Sequence, residues 1–527
     1  MLYSNKLLVL DVWVQLPILT LINMKLELYH LKEMALSTEL FLSCSILQLT
    51  FFAISTAYKR KFGFVILNSQ IYYVSILLIV LASFLLLNED LLISSSLASN
   101  SFVVYDYLSF LVKLVLCLVS LSFLVITNIA FRDEPVNNNF EYIILIVTSV
   151  LGLLLLCSSN DLILAYLAIE LQSVAFYIMA AFKKNSNYSV ESGLKYFIIG
   201  SLSSAFFLFG SSLIYGCTGS LNFDDLNMFL SLGSIDTFLS NKLGLVYIGF
   251  IILCISILIK LAAAPFHFWS LDVYEGSPNS TTFFFAVVPK IGLFLLLMRI
   301  CYLGFYNTFT NQYQMYFFIF AILSIFIGAL GGLEQRKIKT LLAYSSISHT
   351  GYLLLSFSSG NIEGIQMMFY YLVIYMVSGL CLWSVYMFLR QKRNKYFDKT
   401  NKELGDLALL KESNSMLALI FSITLFSLAG IPPLVGFLAK IGIFLTVIKS
   451  SAYLVATLSI LLSVISTFYY IRLIKILYFE NSLVGKLYIP ITTQKSLLIS
   501  IIALSLVFIC IDPTIIYLVF VKAMLLF

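Results

Sequence analysis

Long apolar runs separated by short polar breaks constrain this chain more than any other feature. Fourteen runs recur, over 39–57, 70–87, 104–127, 141–157, 161–181, 192–215, 244–264, 280–300, 315–333, 341–358, 366–389, 415–445, 451–478 and 495–520. A helix needs about 20 apolar residues to cross the hydrocarbon core of a bilayer, and the runs are of that order. They are too long for barrel strands and lack the alternation such strands show. Apolar residues make up 61% of the 527 positions and charged residues 11%. A soluble domain carries about 25% charge, so a water-soluble enzyme is excluded, and so is a disordered chain. The expectation is an all-α polytopic membrane protein of about 14 transmembrane helices forming one membrane domain. The longest polar stretch, Arg390 to Glu412, reads as a single loop.

The segment from Met1 to about Thr38 stands apart. Its apolar run, Leu7 to Ile22, is broken by Asp11, Gln15 and Pro17, and it reads as an interfacial helix. No basic region precedes it and no small-residue cleavage site follows, so it lacks the pattern of a cleavable signal. With fourteen spans, alternate loops share a side. Twenty Lys and Arg residues then fall on one side, among them Lys59, Arg60, Lys61, Arg336, Lys337, Arg390 and Lys402, and seven, including Arg299 and Lys449, on the other. The richer side is assigned to the cytoplasm or mitochondrial matrix, which puts both termini opposite.

Two residue counts exclude much chemistry. There are eight cysteines, none in a C-x-x-C pair, and the histidines are only His30, His267 and His349. A disulfide framework, an iron–sulfur cluster, a structural zinc site or a pair of histidine-ligated haems is not expected. No nucleotide-binding glycine pattern follows a strand, and there is no P-loop. The chain is expected to bind no cofactor, no metal and no nucleic acid.

Five lysines lie inside apolar runs: Lys113, Lys195, Lys260, Lys290 and Lys440. A charge near the bilayer centre costs at least about 2.5–3.5 kcal/mol, so each needs a partner or a watery cavity. Glu170, followed by Leu-Gln-Ser173, is the matching acid in the fifth run. Snorkelling is the bland alternative, and it stays open for Lys113. Three of the lysines carry a second signal. Lys260 is followed by Ala262-Ala-Ala-Pro265-Phe-His267, Lys290 follows Pro289, and Lys440 is preceded by Gly430-Ile-Pro432-Pro433. Proline removes backbone hydrogen bonds, and unwound backbone at membrane depth persists only where protein or trapped water covers it.

The breaks are related by position. Lys260 accompanies the fourth helix of the set 141–300, and Lys440 the fourth helix of the set 301–485. Corresponding broken helices in two halves point to an inverted-repeat transporter. The chain thus divides into an extension (1–38), three leading helices (39–140), two five-helix repeats (141–300 and 301–485) with helices 7 and 12 broken, and a C-terminal helix (486–527). No soluble-substrate site is evident, so ion or proton movement fits. Burial and a nearby carboxylate act in opposite senses on an amine, so moving Glu170 relative to Lys260 would switch proton affinity.

Other polar positions leave two readings open. Lys195 pairs with Glu191, four residues earlier, or belongs to a proton chain. His349, among Ser345, Ser346, Ser348 and Thr350, is a hydrogen-bonded packing residue or a relay, and His267 beside the Pro265 break has the same two readings. Glu39 and Glu141, at run starts, read as interfacial, and the 46 Phe and 32 Tyr as packing or lipid-facing residues.

Six stretches, in order, resemble the chain 2 family of NADH–ubiquinone oxidoreductase, the antiporter-like membrane subunits of respiratory complex I. They are Leu167-Ala-Ile-Glu170-Leu-Gln-Ser173, Gly193-Leu-Lys195-Tyr-Phe197, Ala264-Pro-Phe-His267-Phe-Trp269, Asp272-Val-Tyr-Glu275-Gly276-Ser-Pro278, Leu341-Leu-Ala-Tyr-Ser-Ser-Ile-Ser-His349 and Ala429-Gly-Ile-Pro-Pro433. The resemblance covers roughly residues 39 to 525 and looks nearest to the mitochondrial versions of plants and protists. It implies a fourteen-helix antiporter-like fold with two inverted five-helix repeats. It implies that Glu170, Lys260, Lys290 and Lys440 fall on proton-pathway positions, and Lys195 on a further lysine position. It also implies that the subunit holds no redox cofactor and that electron transfer elsewhere drives proton movement. Its partners would be other membrane-arm subunits of complex I, including neighbouring antiporter-like ones, with lipids around them in the mitochondrial inner membrane. The departures are residues 1–38, which look like an extension, Thr340 where the family commonly has a second basic residue, and Asn279-Ser280 where it usually has a second proline.

Two other classes compete. A subunit of a cation/proton antiporter or membrane hydrogenase would share the fold. A non-pumping scaffold would use buried charges only to hold helices together. A stand-alone metabolite carrier fits poorly, because no anion-binding arginine sits at a break.

Overall fold

The structure, a computed structural model, describes residues 37–57, 65–87, 102–131, 140–232, 240–394, 397–400, 402–408, 410–480, 488 and 491–525. The segment read as an interfacial extension lies outside the described residues as far as position 36. Twelve described helices are long and apolar enough to cross a membrane. Two further crossings complete fourteen. One is Ile338–Phe357, whose serines, threonines and His349 lower its mean apolarity. The other is the pair Ser415–Ala429 and Val435–Lys449, two half-helices in line in the sequence. The spans used below are the first (Ser37–Ala57), third (Tyr107–Phe131), fifth (Leu162–Ala180), sixth (Asn187–Thr218), seventh (Ser240–Leu261), tenth (Ile338–Phe357), eleventh (Ile362–Phe388) and thirteenth (Tyr453–Tyr478).

The breaks fall where proline and glycine put them. The seventh span stops at Leu261 and helix resumes at Phe268–Gly276. The indole Nε1 of Trp269 donates to the Ile259 carbonyl at 2.9 Å, satisfying an acceptor at that end. The eighth span runs as Asn279–Val287 and then Lys290–Met298, with Pro289 between them. The first half of the twelfth span ends at Gly430, whose φ of 79° is the left-handed conformation of a helix C-cap. Pro432 and Pro433 lack the N–H groups that would continue it.

Two readings need correction, and one element is added. The run 495–520 is not one helix: it divides into Thr493–Ile511 and Thr514–Leu525, because Pro513 cannot extend the first. The stretch from Arg390 to Glu412 is not a plain loop. It holds an antiparallel hairpin, Arg390–Asn394 with Phe397–Thr400, and a short 3-10 turn, Leu404–Leu407. A short helix, Phe223–Leu232, with Asp224 and Asp225 in its first turn, lies between the sixth and seventh spans.

Burial runs in a gradient across the bundle. Every residue of the most apolar window of the eighth span is buried, and 89% of that of the eleventh, against 17% for Thr493–Ile511. The tenth span is buried along almost its whole length. The eighth, tenth and eleventh spans therefore form the interior. The first, sixth, thirteenth and fourteenth present apolar side chains such as Phe51, Phe197, Phe468 and Ile501 outward, as lipid-facing helices do.

Candidate functional site

One half of the site lies between the fifth and seventh spans. Asp161 starts the fifth by accepting the Ile163 N–H, as an N-cap does. Its helical spacing places Glu170, Ser173 and Tyr177 along one face. The Ser173 hydroxyl donates to Glu170 Oε2 at 3.2 Å, and Glu170 Oε1 is buried without a hydrogen bond. Lys260, on the last turn of the seventh span, does not reach the carboxylate within ion-pair distance. Its Nζ donates instead to the Tyr177 hydroxyl at 3.3 Å, one helical turn from Ser173 on the same face.

The other half is enclosed by the eighth, tenth, eleventh, twelfth and thirteenth spans. Lys290 begins the second half of its kinked helix and is 6% exposed. Its amine donates to the Tyr375 hydroxyl at 3.0 Å and the Ser346 carbonyl at 3.3 Å. Lys440, 5% exposed, donates to the carbonyls of Leu428 and Ala429 at 3.1 and 2.8 Å. Among the described residues neither amine has a carboxylate within 4.0 Å.

Between these amines stands His349. Its Nδ1 is 2.6 Å from the Tyr371 hydroxyl and its Nε2 is 3.1 Å from the Tyr470 hydroxyl. Its ring centroid lies 5.1 Å from that of Tyr375. On the far side, Lys440 Nζ lies 5.0 Å from the ring centroid of Tyr352, which in turn packs against Tyr371 and His349. A neutral imidazole donates from one nitrogen and accepts at the other. With a hydroxyl on each side it can take a proton at one edge and release one at the other.

Not every expected residue joins this axis. Lys195 is 44% exposed and pairs with Glu191 at 2.8 Å and Asp272 at 2.7 Å, so it is not a buried amine awaiting a partner. His267 is buried beside the Pro265 break. Its ring lies 4.4 Å from that of Phe268, tilted by 31°, and its Nδ1 is buried without a hydrogen bond. Lys113 does not snorkel, and Glu39, in the first turn of its span, is turned inward: they form a 2.5 Å ion pair, 1% and 3% exposed, joining the first and third spans. Arg299, placed by charge counting in a loop, is fully buried in the eighth span's last turns. It bonds Asp106 at 3.0 Å and the Ser159 carbonyl at 3.3 Å. Burial pushes the Asp106 carboxyl above its ordinary value, against the opposing pull of the guanidinium.

The residues missed from sequence are hydroxyls: Ser173, Tyr177, Tyr371, Tyr375 and Tyr470. A signal existed. Tyr371 and Tyr375 are four apart, and Tyr177 follows Glu170 by two turns.

Residues 159–466 match the family described as NADH:quinone oxidoreductase/Mrp antiporter, transmembrane. A relative from Marchantia polymorpha, NADH-ubiquinone oxidoreductase chain 2, is 38% identical over 486 residues, which is 92% of this chain and 97% of the relative. A chain in the structure of respiratory complex I from Thermus thermophilus with bound aureothin is similar at a TM-score of 0.73 and 26% identity, covering 91% of this chain and 98% of that one. A chain of the Mrp complex from a Dietzia species is similar at a TM-score of 0.76 over 93% and 96% of the two chains, with 18% identity. That second likeness is one of fold alone. The architecture is therefore antiporter-like, with its seventh and twelfth helices broken.

Proposed function

The chain belongs to the NADH:quinone oxidoreductase/Mrp antiporter transmembrane family, and we propose from this that it is a proton-translocating membrane subunit of respiratory complex I. Its partners are the other membrane-arm subunits, neighbouring antiporter-like ones among them. It is a multi-pass membrane protein. The mitochondrial inner membrane, with both termini on the intermembrane-space side, is the location that its basic-loop asymmetry and plant relative favour. Redox chemistry is assigned to other subunits, and Glu170, Lys260, Lys290 and Lys440 to the proton path, with His349 between the last two.

The observation that carries the reading is a contrast between buried lysines. Lys113 has the Glu39 carboxylate against it. Lys290 and Lys440 are as buried, yet they are held only by hydroxyl and carbonyl oxygens. A buried ammonium without a counter-ion is costly. An amine so placed is poised to exchange its proton when nearby charge changes. Moving one proton against 100 mV takes about 2.3 kcal/mol, equivalent to roughly 1.7 pKa units at about 1.36 kcal/mol each. Changes of two to three units are within what burial and one neighbouring charge produce.

The test is Lys290→Met and Lys440→Met in the assembled complex. Native-gel migration with intact assembly and lost proton pumping is the expected result. Loss of assembly would favour the scaffold reading. A cation/proton antiporter rests on the shared fold, and sodium-dependent transport by the isolated complex would favour it.

A further inference from the structure

We propose that Tyr177 is a relay between Lys260 and Glu170, seated for that task by a slot in the sixth span. The inference rests on the proton-translocating reading and adds a residue to it. Lys260 does not touch the carboxylate; it touches the Tyr177 hydroxyl at 3.3 Å. Ser173 sits one helical turn before Tyr177 on the same face and acts on its hydroxyl, and Ser173 reaches Glu170 Oε2 at 3.2 Å. Two hydroxyls thus stand in series between an amine and an acid.

The phenol is held by the neighbouring helix. Its ring meets Tyr196 edge-on at 5.0 Å and Phe197 edge-on at 5.6 Å. One turn further along, a Cβ on Gly200 would come within 1.9 Å of the Tyr177 hydroxyl oxygen. Any side chain there would displace the hydroxyl. Positions 196, 197 and 200 share a helix face, so one face of the sixth span forms the slot.

The transfer balances. Lys260 gives a proton to the Tyr177 oxygen, Tyr177 gives its own to Ser173, and Ser173 gives its own to Glu170. The N–H and two O–H bonds break while three new O–H bonds form. An ammonium and a carboxylate become an amine and a carboxylic acid, and both hydroxyls end intact. The reverse transfer recharges the pair.

The test is Tyr177→Phe, Ser173→Ala and the double variant in the assembled complex, with Glu170→Gln alongside. Readouts are native-gel assembly, proton pumping and the pH profile of coupled NADH:quinone turnover. Tyr177→Phe keeps the ring and its packing. It is expected to assemble, to lower pumping about tenfold, the scale of one charge-assisted hydrogen bond, and to shift the pH profile. The double variant should fall no further than the worse single, as for two links in one series. Additive losses, or wild-type pumping and pH profile in Tyr177→Phe while Glu170→Gln stops pumping, would overturn the relay and leave the broader reading standing. Full pumping by Glu170→Gln would overturn both. If Tyr177→Phe fails to assemble, Ser173→Ala decides: an unchanged pH profile overturns the relay, and a shifted one upholds it.

Discussion

The amine of Lys440 lies 2.8 Å from the carbonyl oxygen of Ala429, the last helical residue before the break in its own span. Leu428 offers a second carbonyl at 3.1 Å. The last carbonyls of a helix lack intrahelical partners and carry the negative end of its dipole. Lys440 therefore closes the half-helix that Gly430, Pro432 and Pro433 leave open. The break and the buried charge are one arrangement.

Gly430→Ala should disturb that arrangement directly. A Cβ at position 430 would sit 2.7 Å from the Lys440 Cδ, and the residue holds a positive φ. A left-handed non-glycine residue costs about 1–3 kcal/mol. Faster thermal inactivation of the assembled complex, with reduced pumping, is the expected result. Unchanged values for both would show that the contact is not needed.

Tyr375→Phe should leave Lys290 with the Ser346 carbonyl as its remaining partner. A hydrogen bond to a charged group is worth about 1.5–3 kcal/mol, so proton pumping should fall about tenfold or more. Native-gel migration should not change, since the ring is kept. Wild-type pumping would remove Tyr375 from the path.

The Lys113–Glu39 pair should behave as a structural element. Lys113→Met or Glu39→Gln alone leaves a buried charge unpaired, at about 3–5 kcal/mol, and complex yield should drop. The double variant Lys113→Met with Glu39→Leu should restore yield and keep pumping. A double variant that assembles but does not pump would put this pair in the proton path.

Lys195→Met should change little. The side chain is 44% exposed between two acids that are themselves exposed, and such surface pairs contribute weakly. Coupled turnover should stay within about twofold of wild type. A large loss in a complex of normal yield would return Lys195 to the pathway.

Much of this was legible from residues alone. The fourteen apolar runs became fourteen crossings, because apolar length is a local property of the chain. The breaks at Pro265, Pro289 and Pro432 were legible for the same reason: a missing N–H acts within one turn. Partners were not. Glu39 and Lys113, or Asp106 and Arg299, meet across different spans, and no local pattern pairs them. Arg299 misled because charge counting treats a basic residue near a run's end as loop. The tyrosines were obscured by their numbers, since a hydroxyl in a chain of 32 tyrosines gains meaning only once its neighbour is known. Pro513 was the reverse case, a local signal passed over inside a run of otherwise convincing length.

The enclosed eighth span has one more consequence. Its apolar window is buried on all sides, so once the bundle is assembled its side chains meet protein and not acyl chains. Its hydrophobicity then serves chiefly to carry it into the bilayer. The medium around Lys290 is set by the residues of adjoining helices. Changes in membrane thickness, fluidity or headgroup charge reach that amine only as strain passed inward through the bundle.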